Sequence, residues 1–81
     1  MEQVLNYMPY TIREEILKYI SQGIEEIRVR VARPIAIKTE NNVQIIKHIV
    51  TIEEILETFE KICENSVYAY KNQICEGFIT I

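Results

Sequence analysis

The chain has 81 residues, which is the size of a single domain. Its net charge of −3 at pH 7 disfavours non-specific binding to nucleic acid, because such binding needs a basic surface. No apolar run approaches the ~20 residues that span a bilayer, and the low counts of glycine and proline argue against disorder. We interpret Cys63 and Cys75 as reduced thiols of an intracellular protein.

The N-terminal segment predicts two helices. The first is short, contains Val4, Leu5 and Met8, and ends at Pro9. Thr11 and Glu14 have the spacing of a capping box and predict the start of the second helix, which Gly23 ends in the left-handed conformation. The apolar stripe of this second helix consists of Ile12, Ile16, Tyr19 and Ile20.

The segment IEEIRVRVARPIAI, residues 24 to 37, predicts two strands joined by a turn at Arg33-Pro34. One face of the first strand carries Ile27, Val29 and Val31, and the other face carries Glu26, Arg28 and Arg30. Ile35 and Ile37 resume the alternation after the turn. Three arginines therefore gather on one face and at the bend.

The guanidinium group of arginine donates two parallel hydrogen bonds to a phosphate or a carboxylate, so Arg28, Arg30 and Arg33 are candidate binding residues. The alternative is a solvated face, in which the same arginines pair with glutamates of the chain, namely Glu25, Glu26 or Glu40. The residues alone leave both interpretations open.

A turn at 40–42 leads to a third predicted strand, Val43 to Ile49, with mixed faces typical of a sheet edge. Val43, Ile45 and Lys47 share one face of this strand, and Ile46 and His48 share the other. His48 is the one histidine of the chain, with no cysteine near it in sequence, so no metal site is expected.

The strongest helix signal begins at Thr51, which forms a predicted capping box with Glu54 and follows a staple residue, Val50, that faces Ile55. Its predicted buried face consists of Ile52, Ile55, Leu56, Phe59, Ile62 and Cys63, so Cys63 is interpreted as a core side chain. A last helix follows Ser66 and runs from Val67 to about Cys75, packing through Val67, Tyr70 and Ile74.

Gly77 ends that helix, and residues 78–81 begin a strand. The chain stops within this apolar strand, which predicts a longer protein. The fold expected is α+β: two N-terminal helices, a small, mostly antiparallel sheet from strands near 25–31, 35–39, 43–49 and 78–81, and two helices between the third and fourth strands. The expected core consists of Ile16, Ile20, Ile27, Val29, Val31, Ile35, Ile37, Ile45, Ile52, Ile55, Leu56, Phe59, Ile62, Tyr70, Ile74 and Phe78.

Catalytic motifs are lacking in the sequence. Its two glycines cannot form a Gly-rich phosphate loop, no Ser–His–Asp order gives a triad, and the carboxylates lie along a helix surface. The chain alone is therefore not expected to be an enzyme.

Two segments carry a family resemblance: EIRVRVARP, from Glu26 to Pro34, and SVYAYKNQICEGFITI, from Ser66 to Ile81. With LNYMPYTIREEI and VTIEEILETF in the same order, they resemble the N-terminal region of stage III sporulation protein AA over almost the whole chain. That family's patterns are close to EIRLRxGRP and SxYAYxxEIxxGFIT. The chain departs from them at Ala32, where the family usually has glycine, and at Cys75, where it often has a polar residue. If that glycine has a positive φ, the turn at Ala32 is strained.

The resemblance implies a non-catalytic, PAS-like N-terminal domain of a hexameric ATPase related to type II/IV secretion motors, with ATP and Mg²⁺ bound by a C-terminal core outside these 81 residues. The implied partners are that ATPase domain, neighbouring subunits and membrane proteins of the sporulation secretion complex, in the mother-cell cytoplasm and at the membrane periphery. Arg28, Arg30 and Arg33 are then candidates to contact the neighbour or its nucleotide. Gly77, Phe78 and Ile81 are candidates for the hinge to the ATPase domain.

The alternative is a small RNA-binding or protein-interaction module. The order helix, three strands, helix also describes double-stranded-RNA-binding folds, which contact phosphates and 2′-hydroxyls. Arg28, Arg30, Arg33 and Lys38 would make those contacts. The net negative charge and the glutamates of the helix after Thr51 count against this alternative.

Overall fold

The computed structural model describes residues 2–65 and 69–81, with side chains from residue 4 onward. Its helices are α1 (Glu2–Leu5), α2 (Tyr10–Leu17), a 3-10 turn (Ile20–Gln22), α3 (Ile52–Glu64) and α4 (Lys71–Cys75). Its strands are β1 (Ile24–Arg30), β2 (Pro34–Thr39), β3 (Val43–Ile49) and β4 (Phe78–Thr80). The α+β fold class and the order of the elements are as the sequence predicts.

The four strands form one antiparallel sheet in the order β3-β2-β1-β4, so β3 is an edge strand as predicted. β4 pairs with β1 through Val29 and Ile79, and β2 pairs with β1 through Ile27 and Ile37. The last strand in sequence therefore returns to lie beside the first, which closes the core at that side of the sheet.

Alternation along each strand gives the sheet a buried inner face and an exposed open face. The inner face contributes Ile27, Val29, Ile35, Ile37, Ile46 and Ile79 to the core. The helical segments add Val4, Leu5, Met8, Ile12, Ile16, Ile55, Ile62 and Ile74. All of these side chains belong to one hydrophobic cluster, so the helices of the described residues lie against the inner face.

The predicted capping box at Thr11 is wrong. α2 begins one residue earlier, at Tyr10, because Pro9 occupies the N-cap position in an extended conformation, and no side chain of the described residues caps the helix. Thr11 therefore lies inside the first turn, and its hydroxyl donates a hydrogen bond to Glu54 of α3 instead. Gly23 has the predicted left-handed conformation, with φ of 71°, but it follows the 3-10 turn, because α2 itself already ends at Leu17.

The capping box of α3 is confirmed: Thr51 Oγ1 accepts from the backbone of Glu54, and the Glu54 carboxylate accepts from the backbone of Thr51. The predicted buried face of α3 is wrong in part. Ile52, Leu56 and Cys63 are exposed, whereas Glu54, Ile55, Thr58 and Ile62 are buried. This side packs Ile55 and Ile62 into the core, and it also gives Glu54 hydrogen-bond partners on α2 and β3.

Two further core predictions differ from the structure. Ile45 is exposed and its neighbour Ile46 is buried, because β3 presents its even-numbered residues to the core. Phe78 is only half-buried and lies on the open face, while Ile79 takes the core position. Both strands carry apolar residues on both faces, so the sequence pattern did not indicate which face is inner.

α4 is shorter than the predicted helix and begins after Tyr70, whose φ of −108° places it at the N-cap. The predicted cap at Ser66 and the packing role of Val67 fall outside the described residues. Ile74 is buried as predicted, and Gln73 accepts a hydrogen bond from the backbone of Thr80 at 2.7 Å. α4 is thereby fixed against β4.

Candidate functional site

The turn that carries Arg33 is held by backbone hydrogen bonds from two other parts of the chain. The amide of Val31 donates to the carbonyl of Gly77 at 3.0 Å, and the amide of Ala32 donates to the carbonyl of Val50 at 2.8 Å. Val50 in turn donates to the carbonyl of Arg33 at 3.0 Å. Arg33 therefore extends from a fixed backbone, although it lies between strands.

Arg28 and Arg30 lie two residues apart on β1 and are both exposed, so their side chains share the open face of the sheet. Arg28 Nε donates to Glu26 Oε2 at 3.0 Å, and the Arg28 side chain is still 64% exposed. Arg30 places its guanidinium carbon 5.4 Å from the centroid of the Phe78 ring, a cation–π contact. The alternative pairing with Glu26 thus holds for Arg28, and that pair leaves Arg28 accessible.

A shallow depression of about 440 Å³ joins the three arginines, and its remaining lining is Pro34 and Ala36. The small side chain of Ala36, which pairs with Arg28 across the strands, leaves this space open. A second depression of about 370 Å³ shares Arg30 and Arg33 and continues toward α4, where its lining includes Val31, Glu76, Gly77 and Phe78. The arrangement can bind a carboxylate or a phosphate, because guanidinium donors converge on an open cleft.

The part of the open face that the edge strand β3 forms is largely apolar. Val43, Ile45 and Ile49 on β3 are 62%, 58% and 52% exposed. They lie beside Lys38, Ala36 and Pro34, their partners on β2. An apolar strip therefore adjoins the arginines on the same surface, and this strip was missed because Ile45 was assigned to the core. The alternation of Val43, Ile45, Lys47 and Ile49 was the signal that could have revealed it.

The structure brings four of the predicted site residues together: Arg30, Arg33, Gly77 and Phe78 line one depression. Arg28 lies in the adjoining depression. Ile81 is elsewhere, since its backbone pairs with Ile27 in the middle of β1, at 2.9 and 3.2 Å. The predicted hinge residues therefore do not form one cluster.

A polar cluster around Glu54 was also missed by sequence reasoning. His48 Nε2 lies 2.8 and 3.0 Å from the two carboxylate oxygens of Glu54, which also accept from Thr11 and from the backbone of Thr51. Burial of the carboxyl group opposes its ionisation, but these hydrogen bonds and the nearby His48 outweigh that effect and lower the pKa of Glu54. The cluster joins α2, β3 and α3, so its hydrogen bonds stabilise the packing of these three elements.

Neither a metal cluster nor a membrane-spanning helix is found in the described part of the chain. No three His, Cys, Asp or Glu side chains there are grouped to hold a metal ion. No helix there is both long and apolar enough to cross a membrane. Cys63 and Cys75 are both free and exposed.

The fold and the basic face together define a class: a small α+β domain with helices on one side of an antiparallel sheet and an accessible cationic surface on the other. The family model for sporulation stage III, protein AA matches residues 1–81, the whole chain. The chain therefore belongs to the sporulation stage III protein AA family. No curated protein and no solved structure shows significant similarity to it.

Proposed function

We propose that this chain is the assembly and coupling domain of a sporulation ATPase related to type II/IV secretion motors. In this proposal its fold is the PAS-like N-terminal domain of such a motor, and ATP is hydrolysed with Mg²⁺ by a separate C-terminal core. The chain itself turns over no ATP. Family membership supports the proposal for the protein, and the accessible arginine face supports it for the domain.

The single observation that carries the proposal is the placement of Arg28, Arg30 and Arg33 around one open depression. Among the described residues, neither Arg30 nor Arg33 has a carboxylate partner, and Arg28 is exposed despite its pair with Glu26. Guanidinium groups left accessible in this way suit carboxylates on a neighbouring ATPase domain or the phosphates of its nucleotide. Membrane proteins of the sporulation secretion complex are the further partners we propose, through the assembled motor.

The test is association of this chain with a separately produced ATPase core of the same protein. Arg28→Glu and Arg30→Glu should each weaken binding by about tenfold or more, because a like charge faces the partner's carboxylates. The matched control is Lys18→Glu, which makes the same change of charge on α2, where Lys18 is exposed and paired with Glu15. If the arginine variants leave hexamer formation and ATP turnover of the full-length protein unchanged, the proposed role of the arginines is wrong.

A second candidate is RNA binding, which is favoured by the exposed cations Lys38 and Lys47 on the same open face as Arg28 and Arg30. RNA phosphates would then occupy this face, and affinity would fall steeply with salt. The net charge of −3 weighs against it. Filter binding to double-stranded RNA at low salt is the test, and absence of binding there excludes this candidate.

A further inference from the structure

The outer side of α3 is a second surface with no assigned role. Ile52 and Leu56 are 50% and 53% exposed there. They border an apolar groove of about 210 Å³ between α3 and α4, whose lining also includes Phe59, Ile74 and Cys75. Exposed apolar side chains beside a groove are typical of a surface that a partner covers.

An acidic stripe runs beside that apolar groove. Because successive helical residues are 100° apart, Glu53, Glu57, Glu60 and Glu64 follow one another along one side of α3, next to the line of Ile52 and Leu56. All four glutamates are exposed, and Lys61 is the one basic residue of the helix. The α3 face, defined by Ile52, Leu56 and these glutamates, is therefore apolar in one half and anionic in the other.

The open face of the sheet has the matching pattern with the opposite charge. Val43, Ile45 and Ile49 form its apolar half, with Lys47 between the two isoleucines. Its cationic half consists of Arg28, which pairs with Glu26, together with Arg30, Arg33 and Lys38. We name this set the sheet face. Complementary charge beside complementary apolar surface is the arrangement that steers two proteins together and fixes their register.

The two faces point away from each other. The inward residues of α3, Ile55 and Ile62, share the core with Ile27 and Ile37 of the inner face of the sheet. The α3 face therefore lies on the side of the domain opposite the sheet face, so one copy cannot bring its own two faces together.

We propose that the sheet face of one copy docks on the α3 face of a second copy. This inference rests on the assembly role proposed above and makes it specific, since it names a second copy of this domain, in place of the ATPase core, as the partner of the arginine face. The contact is heterologous, so each copy keeps one free sheet face and one free α3 face. Such contacts continue from copy to copy and close into a ring when the rotation allows.

The experiment is a charge exchange between the two faces, followed by sedimentation velocity. The sheet variant is Arg28→Glu with Lys38→Glu, and the helix variant is Glu57→Lys with Glu60→Lys. The wild-type chain should self-associate at low salt, and each variant alone should lose about tenfold or more in affinity, because like charges then face each other. An equimolar mixture of the two variants should regain association, since the unaltered sheet face of the helix variant meets the unaltered α3 face of the sheet variant and the two reversed faces are complementary as well.

One control variant and two further perturbations test the specificity of this result. Glu14→Lys changes the charge of an exposed residue on α2, outside both faces, and should leave self-association unchanged. Ile45→Ser and Leu56→Ser remove one exposed apolar side chain from each face and should each weaken association with only a small change in the unfolding midpoint. Raising the salt from about 20 mM to about 500 mM should also weaken association, because the charges are screened.

Several results would overturn the inference. The first is a wild-type chain that stays monomeric at about 1 mM, a concentration at which even weak contacts form. The second is a charge-reversed variant that self-associates as strongly as the wild type, and the third is an equimolar mixture that fails to recover association. Binding of RNA by a monomeric chain through the sheet face would overturn it as well. If the chain is monomeric but still binds the ATPase core, the docking of two copies is rejected and the proposed function is kept. If the mixture recovers association but the chain does not bind the core, the docking is supported and the proposed binding to the core is rejected.

Discussion

Ala32 has a φ of 64°, the left-handed conformation in which a Cβ atom crowds the backbone. It occupies the middle of the turn between β1 and β2, where the family pattern usually has glycine. The turn cannot relax freely, because the amide of Ala32 is bonded to Val50 and the adjacent Val31 to Gly77. The sequence departure and the positive φ thus fall on the same residue.

Ala32→Gly should stabilise the domain by about 0.5–1.5 kcal/mol, since removing the Cβ atom relieves the left-handed strain by more than the added freedom of the unfolded chain costs. Urea unfolding followed by circular dichroism measures the change. Ala36→Gly is the control, because Ala36 lies within β2, where glycine should destabilise. Equal destabilisation by both changes would contradict strain at Ala32.

The orientation of α3 depends on a polar contact as well as on apolar packing. The apolar residues of this helix spread over a wide arc that includes Ile52, Ile55, Leu56 and Ile62, so periodicity alone allows more than one buried side. Glu54 lies at the edge of that arc and is buried through its bonds to Thr11 and His48. The helix therefore buries the side that contains Glu54, and it exposes Leu56.

Ile55→Ala should cost roughly 2–5 kcal/mol of the free energy of unfolding, because Ile55 is 2% exposed and its removal leaves a cavity. Leu56→Ala should cost about 0.5 kcal/mol or less, since a half-exposed side chain loses little burial. Chemical denaturation of both variants tests the orientation of α3. Equal losses at the two neighbouring positions would place Leu56 in the core and contradict the structure.

The domain is built around one core, and the described helices cover one side of its sheet. The helices that cover it come from both ends of the sequence, and the cluster at Glu54 connects α2, β3 and α3. An uncovered sheet face remains, and it carries the candidate arginines and the apolar strip of β3. The same architecture thus explains both the stability of the domain and the surface available to partners.

Acid should weaken the connection at Glu54. The pKa of Glu54 is lower in the folded state than the ordinary carboxyl value of 4.5. Its contribution to stability is therefore fully present above pH 4.5 and is lost as the pH falls through the lower pKa of the folded state. Glu54→Gln should cost roughly 1–3 kcal/mol at neutral pH, and its difference from the wild type should shrink below pH 4.5. Urea unfolding across a pH series measures this difference.

Glu57→Gln is the control for this measurement, because Glu57 is exposed one turn away on the same helix. Its stability should follow that of the wild type across the pH series. A gap between the wild type and Glu54→Gln that is as large in acid as at neutral pH would show that the ionised carboxylate is not what stabilises the cluster.

The local signals in this chain predicted most of the fold. Strict alternation in β1 and β2 defined their two faces, the Thr51 box defined the start of α3, and Arg33-Pro34 defined a turn. The arginines of the candidate site were predicted from the same alternation. Each of these features depends on residues within a few positions of one another, and such interactions can be recognised in the sequence.

Contacts between distant segments decided which side of β3 and which side of α3 is buried. They also decided the role of Thr11. Ile45 and Leu56 are as apolar as the buried neighbours Ile46 and Ile55, so hydrophobic pattern did not separate them. The choice was made by packing and by the bond between Thr11 and Glu54, which are 43 residues apart. Periodicity identifies a buried face when apolar residues lie on one side; where they lie on both, the partners brought together by folding select the side that is buried.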